Sequence, residues 1–285
     1  MFKDLSAACN HPCSLYYVGF LTDILTMFKE IHPIPAFADN YIWAISDQAS
    51  DAVCVVDPGD ATPVVEYLAQ NKLTLTDILI THHHPDHTGG LGELKAKFSP
   101  QVYGPQPSNI AGISTHVHEG DCVELFGHRL SVIEVPGHTL DHVAFYCDEP
   151  DPPVLFCGDT LFAAGCGRLF EGTPEVMHES LAKLAALQTT TAVYCTHEYT
   201  MANLKFAIAA DPYNKTLLSR ISEEQEKRAS GLPTLPSSVQ LELETNPFLR
   251  CNQSALQQSA ESQLGRTASD EIKVFTALRN WKDNF

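Results

Sequence analysis

The chain holds 285 residues, enough for one large domain or two smaller ones with a sizeable buried core. Hydrophobic residues make up 44% and charged residues 19%, the usage of an ordinary soluble globular protein, which excludes a membrane-spanning or collagen-like chain. Lys and Arg total 18 against 35 Asp and Glu, a formal charge of -17, so the chain repels phosphate backbones and nucleic acid is not an expected partner. Nine scattered cysteines with no CxxC pair do not make a secreted disulfide framework and point to a reducing, cytoplasmic compartment.

In chain order, residues 13–28 form the most apolar run near the N-terminus, but the run is shorter than the roughly 20 residues of a spanning helix and contains Asp23. No membrane contact is expected from it, and no basic segment of a signal peptide precedes it. Strand-like sequence begins only after Met27, an alternative start, so residues 1–26 are an extension with no assigned role. Runs 41–45, 52–56 and 77–80 are rich in Ile and Val and read as strands. Thr62-Pro63 reads as a helix start, Thr62 as its cap and Pro63 at the first helical position, and 91–98 as a second short helix. Strands follow at 122–126, 129–134, 143–147 and 154–157, then a helix at 174–187 and a strand at 192–195. After His197 strand-like runs stop: 204–210, 217–229 and 272–281 are helical in pattern, 231–238 is a Pro/Ser-rich loop, and the polar, Gln-rich 254–269 reads as a connector. The expected organisation is an α/β domain over 27–197 and a helical one over 198–285.

Chemistry concentrates in residues 81–90, THHHPDHTGG, directly after the strand DILI. In an extended turn alternate side chains point the same way, so His82 and His84 face one ion while His83 faces elsewhere, and Asp86 and His87 reach a second position. Imidazole with carboxylate is a donor set that suits zinc, iron or manganese. His138 in VPGHT, Asp159 in LFCGDT and His197 in VYCTHEY share the same context, a polar ligand just past an apolar strand. Each alone has an ordinary explanation as a turn histidine, a cap or a buried hydrogen-bonded histidine. Together the seven converge on one sheet edge. They are too many for one tetrahedral ion and suit two: His82, His84 and His138 around the first, Asp86, His87 and His197 around the second, with Asp159 bridging. Two divalent ions, zinc first and iron or manganese as alternatives, lower the pKa of water from near 15.7 toward about 7 and polarise a carbonyl, which implies metal-assisted hydrolysis of an acyl compound or phosphoester. Asp86 and Asp159 are the carboxylates expected to act in catalysis.

The HxHxDH motif followed by GHT, GDT and a last His resembles the metallo-β-lactamase superfamily, which implies an αβ/βα sandwich, here with a C-terminal helical domain. The strings AFADNYIW, VVDPGD, THHHPDHTGG, CGDTLFAAGCGRLFEGT, CTHEYTMANLKFA and NPFLR narrow the resemblance to the hydroxyacylglutathione hydrolases, the glyoxalase II family, over residues 34–285. The resemblance implies hydrolysis of S-D-lactoylglutathione and related thioesters in methylglyoxal disposal. A thioester expels a thiolate whose conjugate acid has a pKa of about 8.5, so no dedicated general acid is needed. Glutathione's carboxylates call for a local basic patch, which Arg279 and Lys282, three apart on the last helix, supply. The resemblance implicates the same pair and adds Arg168, Phe170 and Tyr199 as substrate contacts. Some relatives carry Tyr where Phe170 stands, so a hydroxyl donor is missing here.

His83 either orients a ligand or faces solvent. His11, His32, His116, His118, His128, His142 and His178 are read as ordinary, and Cys157, Cys166 and Cys195 as apolar packing. Alternative readings keep the fold as a phosphodiesterase or nuclease, disfavoured by the acidic balance, or as a one-ion persulfide oxygenase, disfavoured by a complete second donor set. A metal-buffering protein without catalysis is a third. A monomer acting on a small glutathione thioester is expected.

Overall fold

The structure, a computed structural model, describes residues 28–285 apart from Pro107 and Ser269, so the readings made of residues 1–27 lie outside the described residues. Two six-stranded sheets face each other. The first comprises β1 (Glu30–Ala36), β2 (Asn40–Ser46), β3 (Ala52–Val56), β4 (Thr74–Leu79), β5 (Gln101–Pro105) and β6 (Thr115–Val117), in that order. From β3 to β6 the pairs are parallel, and two of the crossovers are helical, α1 (Ala61–Asn71) between β3 and β4, α2 (Pro85–Thr88) and α3 (Leu91–Phe98) between β4 and β5. The second sheet contains β7 (Cys122–Leu125), β8 (His128–Glu134), β9 (Val143–Cys147), β10 (Val154–Gly158) and β13 (Ala192–Cys195); between the last two, a separate two-stranded hairpin of β11 (Leu161–Phe162) and β12 (Gly165–Cys166) leads on to α4 (Pro174–Ala185).

Period-two alternation explains the layering. Trp43, Ile45, Cys54 and Val56 face the second sheet, while Ile42, Ala44, Val53 and Val55 on the same strands pack under α1 and α3. Strand β10, VLFCG, is buried throughout because α4 covers its other face with Met177, Leu181 and Leu184. The order of layers is therefore helix, sheet, sheet, helix. Helix α1 is capped by Asp60, whose carboxylate accepts from Thr62 N, rather than by Thr62; Pro63 falls at the third helical position, where its missing N–H is still outside the intrahelical ladder.

The C-terminal segment consists of α5 (Thr200–Ala210), α6 (Lys215–Ala229), β14 (Ser237–Ser238), α7 (Val239–Thr245), a 3₁₀ turn (Pro247–Leu249), α8 (Ser254–Leu264) and α9 (Glu271–Asp283). Two expectations are corrected here. The polar stretch 254–269 is not a connector, since residues 254–264 form α8, which buries only Leu256 and Ala260 and so carries a faint apolar stripe. The loop 231–238 ends in strand β14, which pairs with β13 and completes the second sheet in the order β14-β13-β10-β9-β8-β7. Phe206, Phe248, Leu256, Phe275 and Leu278 join the core that fills the space between the sheets, so the packing is continuous across residue 197.

One buried ion pair fastens this segment. Arg220 of α6 donates from Nη2 to Glu242 Oε1 of α7 (2.7 Å) and from Nη1 to Thr245 Oγ1 (2.6 Å), while Glu242 Oε2 accepts from Ala164 N (2.8 Å) in the β11–β12 turn. Asn246 Nδ2 donates to Gly165 O (2.8 Å) in the same turn. Arg220→Ala strands the Glu242 charge in the interior, and unfolding in urea is expected to show a loss of about 3–5 kcal/mol. A loss under about 1 kcal/mol would contradict that account.

Candidate metal centre

The loops that carry the seven expected donors all leave the C-terminal ends of strands at one edge of the two sheets. Residues 82–87 follow β4, His138 follows β8, Asp159 follows β10 and His197 follows β13. Main-chain bonds join the sheets at this edge: Tyr41 N donates to Thr196 O (2.7 Å), Glu198 N to Asp39 O (2.8 Å) and Val143 N to Thr81 O (2.9 Å). Close approach is built into the backbone. A Cβ at Gly59 would stand 1.9 Å from the Asp86 carbonyl oxygen, and one at Gly158, whose φ is +47°, would meet Thr81 Oγ1 at 2.4 Å.

All seven donors come together. His84 Nδ1 lies 3.1 Å from His82 Nε2 and 3.0 Å from His138 Nε2. Asp86 Oδ2 lies 3.5 Å from both His87 Nε2 and His197 Nε2. Asp159 touches both groups, its Oδ2 3.4 Å from His138 Nε2 and 3.2 Å from His197 Nε2, its Oδ1 3.5 Å from His87 Nε2. Three sets of three donor atoms each lie within 4.8 Å of one another: His82, His84 and His138; Asp86, His87 and His197; and His82, His87 and Asp159. His83 points elsewhere, its Nδ1 2.9 Å from Asp141 Oδ1 and its Nε2 3.5 Å from Glu171 Oε1.

The outer nitrogens decide the tautomers. His87 Nδ1 donates to Asp57 Oδ2 (3.0 Å), His197 Nδ1 to Asp39 Oδ1 (2.9 Å) and His138 Nδ1 to the Arg168 carbonyl (2.8 Å), because each partner can only accept. Thr81 Oγ1 spends its proton on Asp57 Oδ2 (2.7 Å) and therefore accepts from His82 Nδ1 (3.0 Å). In each of the four, Nε2 is the ring atom turned inward, the arrangement metal-ligating histidines use. Asp57 and Asp39 carry no sign of this role in the sequence, although Asp57 is the first acid of the VVDPGD string and Asp39 the acid of AFADNYIW. His142, read there as ordinary, is buried at the site: it stacks on His82 at 4.5 Å, donates from Nδ1 to Val143 O (3.1 Å) and accepts from Asp159 N (3.0 Å).

Burial, reinforced by neighbouring histidines, holds His82 well below the ordinary imidazole range and lowers His84 and His138 too. Burial would raise the Asp159 carboxyl, but His87 and His197 beside it keep it well below its usual range; His87 and Asn40 do the same for Asp86. His87 and His197 rise in spite of burial because Asp159 faces both, with Asp57 behind the first and Asp39 behind the second. The neutral imidazoles favoured at His82, His84 and His138 and the ionised carboxylates are forms that bind cations, while a cation at His87 and His197 would displace a proton. His87 Nε2 and Asp159 Oδ1 are buried and without a hydrogen-bond partner, a costly condition that a cation between such donors relieves. The mixed N/O set thus fits divalent metal.

The donors open into a cavity of about 510 Å³ also lined by all five expected substrate contacts, Arg168, Phe170, Tyr199, Arg279 and Lys282. Phe170 is 63% exposed and presents its ring edge-on to His84 and His138 at 5.6 and 5.2 Å. Tyr199 stacks flat on His197 at 4.6 Å, and burial pushes its phenol up to about 12, so it keeps its proton at neutral pH. Arg279 is buried rather than solvated: it is 3% exposed, sits 5.0 Å over the Phe248 ring and donates to Cys166 O (3.0 Å) and Asp283 Oδ1 (2.8 Å). Removing an orienting carboxylate should loosen the metal without touching a donor. Asp57→Ala is expected to lower metal affinity about 10- to 100-fold in a chelator competition, and wild-type affinity would overturn the role given to Asp57.

Residues 40–197 match the sequence model of the metallo-beta-lactamase superfamily and residues 198–285 that of the hydroxyacylglutathione hydrolase C-terminus. The chain is 49% identical over 257 residues to a hydroxyacylglutathione hydrolase of Pseudomonas putida, an alignment spanning 90% of this chain and 99% of that one. It is 51% identical over 253 residues to a hydroxyacylglutathione hydrolase of Chromohalobacter salexigens, spanning 89% and 98%. Among solved structures, ETHE1 from Myxococcus xanthus shares the fold with a TM-score of 0.58 at 22% identity, over 85% of this chain and 94% of that one. TTHA1623 in a di-iron-bound form matches with a TM-score of 0.51 at 26% identity, over 59% and 92%. The chain belongs to the hydroxyacylglutathione hydrolase family of the metallo-β-lactamase superfamily.

Proposed function

We propose that this protein hydrolyses S-(2-hydroxyacyl)glutathione thioesters, S-D-lactoylglutathione among them, to glutathione and the free hydroxy acid. The observation that carries this reading is the meeting of two His/Asp donor groups, sharing Asp159, with Arg168, Arg279 and Lys282 around one cavity. His82, His84 and His138 would hold one ion, Asp86, His87 and His197 a second, and Asp159 both. Two divalent ions supply Lewis acidity there, lowering the pKa of water toward neutrality and polarising a carbonyl oxygen. Zinc suits the donors, and the di-iron-bound relative supports iron as the alternative.

The chain's own residues do the rest. Asp39, Asp57, Thr81 and the Arg168 carbonyl fix four imidazole rings, so the donors need no rearrangement to act. Phe170 and Tyr199 shield the donor side of the cavity with apolar ring surface, and the protonated Tyr199 hydroxyl is a hydrogen-bond donor for the substrate. Arg168 and Lys282 draw glutathione carboxylates to a protein of formal charge -17. The thiolate leaves unaided, since its conjugate acid has a pKa of about 8.5. In this reading residues 27–197 carry the hydrolytic centre, residues 198–285 bind substrate, and the enzyme is a cytoplasmic monomer. A one-ion oxygenase is not favoured beside two donor groups and relatives named as hydrolases.

Metal-loaded protein is expected to release one thiol per S-D-lactoylglutathione consumed, to lose that activity with a chelator and to regain it with zinc. Absence of thiol release from fully loaded protein would overturn the reading. Burial, with Arg279 alongside, brings Lys282 down to about 8. Its charge is present below that pH and lost above it, so KM for a glutathione thioester should climb as pH passes about 8, and Lys282→Arg should abolish the climb. A wild-type KM that stays flat between about pH 7 and pH 9 would remove Lys282 from the contacts.

A further inference from the structure

The cations of the cavity have a resident counter-ion. Asp283 is the last residue of α9, and its Oδ1 accepts from Arg279 Nη2 at 2.8 Å while standing 3.8 Å from Arg168 Nε. Several local preferences run against an acid at this place. A carboxylate in the last turn faces the negative end of the helix, and an acid four residues after its Arg partner is the less favourable order. The protein is already acidic, and an added negative charge beside an anion-binding pocket opposes the ligand. The two partners differ. Arg279 is 3% exposed and held by Cys166 O and the Phe248 ring, so it does not need Asp283 to stay in place. The Arg168 side chain is 66% exposed, and its contact with Asp283 is too long for a hydrogen bond, so it is free to exchange partners.

Resting on the reading of this cavity as the glutathione site, we propose that Asp283 sets affinity in it: its carboxylate is the anion that Arg168 keeps in the absence of substrate, and an incoming substrate carboxylate competes with it. The acid weakens the hold on every anionic ligand, substrate and thiol product alike, and so speeds product departure from a pocket with three cations. It discriminates by charge. Ligands without carboxylates gain nothing from Arg168 and lose nothing to Asp283.

Asp283→Asn keeps an acceptor for Arg279 and removes the charge. KM for S-D-lactoylglutathione and the inhibition constant of glutathione should both fall about two- to five-fold, the range of a partly exposed charge interaction. A thioester of N-acetylcysteamine, which has no carboxylate, should show equal constants in both proteins. The difference for the glutathione thioester should shrink as salt is raised toward 1 M, where the Debye length falls to about 3 Å; a purely structural effect would not depend on salt. An unchanged or raised KM, or a fall that salt does not reduce, overturns the proposal. Lys282→Ala, run alongside, separates the two levels. If it raises KM while Asp283→Asn does not lower it, Asp283 alone is misassigned; if it leaves KM unchanged, the glutathione reading of the cavity falls and the proposal with it.

Discussion

A single buried carboxylate, that of Asp57, carries the geometry of the centre. It follows β3 with a left-handed backbone, φ +52°, a conformation that a short polar side chain tolerates and most others avoid. One oxygen accepts from Thr81 N, the other from Thr81 Oγ1 and His87 Nδ1. The first two bonds lock the chain as it leaves β4; the third aims His87; and Thr81, its proton committed, aims His82. The register of β3 on β4 is thereby translated into the orientation of one imidazole in each donor group. A shift of that register would move both rings at once.

The site also shows why such a cluster is costly without a cation. Three histidines are pressed toward neutrality by burial while two carboxylates stay ionised beside them, and two donor atoms find no partner. Buried groups in that condition persist when something outside the chain completes them. The packing of the two sheets holds the donors in place, so the cost is met by the scaffold rather than by the loops. The same division separates the helical segment, which presents Arg279 and Lys282, from the sheet edge that presents the donors.

Much of this was legible from residue order. The donors stand just past strands because a sheet edge gathers loops, and their spacing in THHHPDH survives intact in space. What escaped were partners that act through space. Asp57 precedes His87 by thirty positions and Asp39 precedes His197 by 158, separations that no local pattern connects. His142 looked ordinary because its role is to accept one backbone N–H and stack on His82, which leaves no trace in spacing. Helix α8 was hidden by having only two buried residues, and β14 by having only two residues at all.

That short β14 has a bearing on how the chain is made. Strand β13 would otherwise border the second sheet with open N–H and carbonyl groups, the kind of edge that recruits a foreign strand. The segment that covers it lies some forty residues downstream, and the helices packed behind it come later still. A ribosome-bound chain that has emerged only as far as His197 would have its donor-bearing loops but an uncovered sheet margin, so the stretch after residue 197 completes the sheet through β14 as well as walling the cavity.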